Sequence, residues 1–199
     1  MMNSVFKVII GIFLLTVLSA QSTRAATFSL DFNEPTTITP MISYTSASGT
    51  VQENLVGSDL VDSFYKSPWD NTSTPDEEFT AVRRNSTAVY EFSETYTNVS
   101  FLWGSVDANQ MIGFFLGDTA VDFLNSNDVL DAGATEGDGF VQIAILAAAF
   151  DTIKFMSPNN SFEIANLSVS AVPLPAALPL YAAGILVLGW VGRMRRVKR

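Results

Sequence analysis

Between residues 26 and 171 the apolar side chains recur with a period of two, in short runs. In TFSLDF, Phe28, Leu30 and Phe32 alternate with polar neighbours. AVYEFSETY, NVSFLWGSV and MIGFFLG follow, rich in aromatic and β-branched residues and broken by Asn, Asp and Gly. Such alternation puts one side of an extended strand against a core and the other toward water. No stretch carries the 3.6-residue period of a long amphipathic helix. Many short strands joined by turn-rich loops predict an all-β fold, an antiparallel β-sandwich of jelly-roll type.

Within that frame, DTIKFMSPNNSFEIANLSVS (residues 151–170) reads as a hairpin. Ile153 and Phe155 share a face, SPNN makes the turn, and Phe162 and Ile164 alternate on the return. The phase slips by one residue at Ala165 and Asn166, because Leu167 and Val169 carry the next apolar positions; a bulge is expected there. FVQIAILAAAF begins as a strand, but its alanine-rich centre fits a helical turn as well as a closely packed strand. Residues 66–80, with two prolines and a run of acids, and residues 125–139, rich in Asn, Asp and Gly, read as loops.

Charge is partitioned unevenly. All 20 acids lie between residues 26 and 171, against four cations there: Lys66, Arg83, Arg84 and Lys154. A segment so acidic repels nucleic acid and anionic lipid head groups. The chain has no cysteine, so no disulfide staples the fold. It has no histidine either, which excludes a Ser-His-Asp triad and histidine-ligated metals. Carboxylate chemistry and hard-cation sites are what survive.

The two ends look like targeting segments. One cation, Lys7, precedes an apolar run over residues 8–20, and small residues follow. This is a secretory signal, with a signal helix over residues 1–25 and cleavage between Ala25 and Ala26. The run is short for a membrane span. At the other end, residues 171–192 carry no charge but contain Pro173, Pro175 and Pro179. Proline is favourable at the first helical position and harmful inside a helix. A single C-terminal transmembrane helix is therefore expected over about residues 178–192, after an extended proline motif. From Pro179 it is only ~21 Å long at about 1.5 Å per residue, against a hydrocarbon core of ~30 Å. Arg193, Arg195, Arg196, Lys198 and Arg199 form a basic stop-transfer tail that stays in the cytoplasm.

Candidate chemistry is sparse. Asn125, Asn127, Asp128, Asp131, Glu136 and Asp138 offer oxygens of the kind calcium takes. Their spacing is not that of an EF-hand, and a solvated acidic loop accounts for them equally well. Calcium is the one cofactor the sequence suggests. Asp76, Glu77 and Glu78 invite a paired-carboxylate reading, but glycoside hydrolysis needs two carboxyls facing one cleft from different elements; a solvated run is the simpler account. Phe64, Tyr65 and Trp69 in SFYKSPWD suit sugar stacking, a core or a loop plug. Asn-X-Ser/Thr triplets at Asn71, Asn85, Asn98, Asn159 and Asn166 would mark glycosylation only in a eukaryotic secretory pathway.

A proline motif, a marginal hydrophobic helix and a basic end, in that order, resemble the PEP-CTERM class of bacterial sorting signals. The resemblance is to the variant reading Val-Pro-Leu-Pro-Ala, here Val172, Pro173, Leu174, Pro175 and Ala176. It implies a partner, the membrane-embedded cysteine protease exosortase, which cuts near the motif after the protein has been inserted in the cytoplasmic membrane. The protein then passes to the cell surface or the extracellular matrix of a Gram-negative bacterium. The rest of the chain is similar to a family of exosortase-dependent surface proteins with a Trp-Gly-Ser-X-Asp run and a later Phe-Glu-Ile-Asp-Asn run. Trp103, Gly104, Ser105 and Asp107 match the first. Phe162, Glu163, Ile164 and Asn166 match the second, with Ala165 where aspartate is usual.

The organisation expected is a signal peptide over 1–25, one exported domain over 26–171, and a sorting signal over 172–199. The function expected is that of a non-enzymatic surface or matrix protein. The alternative is a carbohydrate-binding module for exopolysaccharide, and a carboxylate-dependent glycosidase is a third reading. Nucleic acid is not an expected partner.

Overall fold

The computed structural model describes residues 26–59, 64–137 and 139–171. The signal segment with Ala25, the sorting motif Val172–Ala176 and the basic tail from Arg193 lie outside the described residues, as does Asp138. Among the described residues no helix is long and apolar enough to cross a membrane.

The fold is all-β. Its strands are β1 (Thr27–Asp31), β2 (Ser46–Ser48), β3 (Val51–Leu55), β4 (Phe79–Val82), β5 (Ser86–Gly104), β6 (Met111–Leu116), β7 (Thr119–Asn125), β8 (Phe140–Ser157) and β9 (Phe162–Ser170). A short helix α1 (Ser126–Asp131) follows β7. Every pairing is antiparallel, in the order β3-β4-β9-β5-β8-β6-β7, with β1 added on β8 and β2 on β5.

The long pair β5 and β8 is bent double. Ala88 of β5 lies opposite Phe155 of β8, yet the Phe155 ring also meets Phe101 of β5, with centroids 5.3 Å apart. A straight strand would separate Ala88 from Phe101 by about 43 Å. The bend is visible in the register. Four residues of β5 between Glu91 and Tyr96 face Asp151 alone, and Thr97 then faces Ala147, Ala148 and Ala149. The alanine-rich stretch that could have been helix is thus strand, and its small side chains sit where the ribbon folds. One half-sheet carries β2, β6 and β7 on the ribbon; the other carries β1, β3, β4 and β9.

Between the halves lies one core. Phe155 makes edge-on contacts with Tyr90, Phe101 and Phe162, and Phe114 packs on Phe150. Each buried ring contributes about 1.5–3 kcal/mol by leaving water, and edge-to-face pairing adds about 0.5–1.5 kcal/mol. With no disulfide possible, this aromatic layer holds the halves together.

The hairpin expected over residues 151–170 is not formed. β9 pairs with β4 and β5, not with β8. The SPNN turn carries the chain from one half-sheet to the other, so that Phe155 and Phe162 meet across the core rather than along a ladder. The expected bulge is present: β9 gains one residue between Ala165 and Ser168 relative to β5, and Asn166 takes a left-handed φ of 55°. Its side chain accepts from the Thr39 hydroxyl at 2.7 Å and donates to the Thr37 carbonyl at 2.9 Å, tying down the approach to β2.

β4 is buried on both faces. Its inner face joins the main core through Val82. Its outer face, with Phe79 and Ala81, joins Leu102, Ala165 and Trp69 in a second cluster. The loop over residues 64–78 lies on that outer face with Trp69 as its plug, the indole donating to the Glu78 carbonyl at 3.1 Å.

Candidate functional site

The two runs singled out in the sequence meet in space. Trp103 and Ile164 are register partners on β5 and β9, as are Gly104 and Glu163. Alternation sends Trp103 inward to the core and Gly104 outward beneath the loop. A Cβ on Gly104 would lie 2.9 Å from the Cβ of Pro68 and 3.1 Å from that of Glu163, so only glycine lets the loop settle here.

Past Gly104, Ser105 turns with φ of 33°. Its hydroxyl donates to Glu163 Oε2 at 2.6 Å, and the Lys66 amide donates to Oε1 at 3.2 Å. Glu163 is 1% exposed. Burial pushes its carboxyl up to about 8 against the partial relief of these two bonds, and nearby Asp107 pushes the same way. Asp107 is itself shifted upward, by burial first, with the Asn160 side chain opposing and Glu136 adding.

Gln110 holds the turn closed. It is buried, and its Oε1 accepts from the Trp103 indole at 3.0 Å and the Asp107 amide at 3.2 Å. Its Nε2 donates to the Ser161 carbonyl at 2.5 Å, and its own carbonyl accepts from the Ser126 amide. Nothing in the sequence marks this glutamine, because its role depends on three segments meeting.

Above these residues lies a groove of about 950 Å³. Its walls include Phe64, Lys66, Arg83, Arg84, Asp107 and Glu163. Three of the four cations between residues 26 and 171 thus converge on one place. The Arg83 guanidinium lies 3.8 Å from the centroid of the Phe64 ring and donates to Gln52 Oε1 at 2.9 Å. The fourth cation, Lys154, sits apart over Phe115, 4.2 Å from its centroid.

The other candidates fare differently. Trp69 is 1% exposed and plugged into the second cluster, whereas the exposed Phe64 and the half-buried Tyr65, which packs edge-on against Phe79, both line the groove. Asp76 and Glu78 lie exposed on the loop, away from the groove lining. In the 125–139 segment, Asn125 caps α1 by accepting from the Asn127 amide at 2.9 Å, and Asp128 falls in the first turn, where a negative charge suits the helix dipole. Asp131 ends that helix and Glu136 lies beyond it. Among the described residues no group of three or more acids is placed to hold a metal ion. Ala165, which stands where the run it resembles usually has aspartate, packs among Trp69, Phe79 and Leu102.

Chemically, the groove offers unlike charges, amides and two aromatic side chains, Phe64 and Tyr65, side by side. Although the Asp107 and Glu163 carboxyls both line it, both oxygens of Glu163 are occupied by Ser105 and the Lys66 amide, which makes that group a brace between β9, the turn and the loop.

No known protein family and no curated protein matches the chain. Among solved structures, the catalytic domain of Agl-KA is similar at a TM-score of 0.36 and 14% identity, over 80% of this chain and 31% of that one. The chain therefore spans less than a third of that structure, and a likeness this loose supports no conclusion on activity.

Proposed function

We propose that this is a non-enzymatic protein, exported from a Gram-negative bacterium and sorted to the cell surface or extracellular matrix by exosortase acting on its C-terminal tail. The observation that carries the reading is the order Val172–Ala176, apolar run, Arg193–Arg199, set against a preceding segment that holds every acid of the chain. The exposed positions of Ser170 and Ala171 at the end of β9 favour it, since a tail leaving from the surface is open to a membrane enzyme. The exported domain is a β-sandwich of jelly-roll type. Two long strands shared between half-sheets and a crossing from β8 to β9 support that description. Replacing both Pro173 and Pro175 by alanine leaves the protein full-length and membrane-bound in its producer; normal loss of the tail in that variant contradicts the reading.

A second reading, binding of carbohydrate from the surrounding exopolysaccharide, is favoured by the groove. Its exposed Phe64 ring sits among carboxylates, amides and guanidinium groups that can exchange hydrogen bonds with hydroxyls.

A further inference from the structure

Arg84 is exposed, and its guanidinium makes no hydrogen bond or ion pair among the described residues. Arg83 uses one donor on Gln52 and its flat face on Phe64, and it too has no carboxylate partner there. In a segment with 20 acids and four cations, two neighbouring arginines without an acidic partner among the described residues are unexpected. Both line the same groove. Guanidinium donors in a fixed fork match a carboxylate, and their weak hydration makes them suited to partly enclosed sites. The same groove carries Asp107, Asn159 and Asn160, which accept from or donate to hydroxyls.

We propose that this groove binds an acidic saccharide, with the sugar carboxylate on Arg83 and Arg84 and its hydroxyls on the Asp107 and Asn160 side. This rests on the carbohydrate reading above and narrows it to a ligand class and a place. A ligand with an anion and no hydroxyls makes no use of the Asp107, Asn159 and Asn160 side of the groove; a neutral sugar leaves the Arg84 guanidinium and the remaining Arg83 donors without an anion. Because the segment as a whole is strongly acidic, a polyanion gains nothing from its general field, so binding has to be local. Asp59, Asp70, Asp107 and Glu163 line the same groove, so the selectivity rests on direct contact with the two guanidinium groups; at about 0.15 M salt the screening length is ~8 Å, which limits the pull of the carboxylates elsewhere in the segment.

The test is calorimetric titration of the full-length chain in non-ionic micelles at that ionic strength. The probes are oligogalacturonate, the same oligomer methyl-esterified, and inorganic phosphate. The proposal predicts that the acid oligomer binds at least ~10-fold tighter than the ester. Arg84→Gln abolishes that preference, Lys154→Gln, outside the groove, retains it, and phosphate does not compete at equal concentration. Equal binding of acid and ester, or a preference that survives Arg84→Gln, overturns the acidic-ligand assignment and leaves the carbohydrate reading standing. Competition by phosphate at equal concentration overturns it as a saccharide site. Binding of neither oligomer overturns both.

Discussion

Trp103 and Phe162 stack face to face, with ring centroids 4.3 Å apart and planes within 8° of parallel. The contact joins two segments far apart in the sequence, and it fixes the position of everything that follows them: Gly104 and Ser105 on one side, Glu163 on the other. Replacing Trp103 by alanine removes the ring and leaves Gln110 Oε1 without its indole donor. A loss of about 3–5 kcal/mol is expected. Urea unfolding measures it, and a loss below about 1 kcal/mol would show that the stack is not central to the fold.

Gly104→Ala tests the seat of the loop. The added methyl meets the Cβ atoms of Pro68, whose ring is fixed to the loop backbone, and of Glu163 on β9; a Cβ cannot swing away without moving its backbone. The expected cost is about 1–3 kcal/mol, accompanied by partial exposure of Trp69, which a red shift in tryptophan emission reports. An unshifted spectrum with unchanged stability contradicts the close approach described here.

Glu163 gives the protein a pH dependence of definite sign. Its carboxyl sits at about 8 when folded, against an ordinary 4.5 when unfolded. The folded state therefore binds more protons in that interval, and stability declines as pH rises from 4.5 toward 8, at up to ~1.4 kcal/mol per pH unit. The benefit of the neutral carboxyl is complete below 4.5 and lost above 8. Asp107, shifted in the same direction, adds to the slope. Glu163→Gln can accept from the Lys66 amide through its oxygen and donate to the Ser105 hydroxyl through its NH2 but cannot ionise, so its stability profile is flatter and crosses above the unmodified protein at alkaline pH. Parallel profiles for the two proteins sink this account of the buried carboxyl.

Asn166→Gly separates backbone from side chain at the bulge. Glycine accepts φ of 55° without strain but cannot hold Thr37 and Thr39. The Thr39 amide also donates to Asn166 Oδ1, so its hydrogen exchange is expected to speed up by an order of magnitude or more while the β9 amides stay protected; unchanged exchange at Thr39 contradicts the staple.

Period-two alternation was enough to read β1, the aromatic strands and the slip at Asn166, because those features depend on which way a side chain points. It could not say which strand lies beside which. Phe155 and Phe162 alternate with their neighbours in the same way whether the chain makes a hairpin or crosses between half-sheets, and it crosses. The alanines at 147–149 were ambiguous for a related reason: small residues fit wherever two surfaces come close, and here that place is a bend. At the site, Trp103 and Glu163 were marked by motif, whereas Gln110 and the meeting of Lys66 with Arg83 and Arg84 were not. Those depend on loop placement, for which local sequence carries little signal. The oxygen-rich segment was legible as polar but not as a capped helix, since Asn serves a cap and a cation equally well.

The proposed sorting requires that the tail be recognised and lost after export. Intact-mass measurement of the mature protein recovered from its producer tests this most directly. The expected species begins at Ala26 and terminates upstream of the cluster that starts at Arg193. A species that still carries Arg199 contradicts it and makes the protein a permanently tethered component of the envelope.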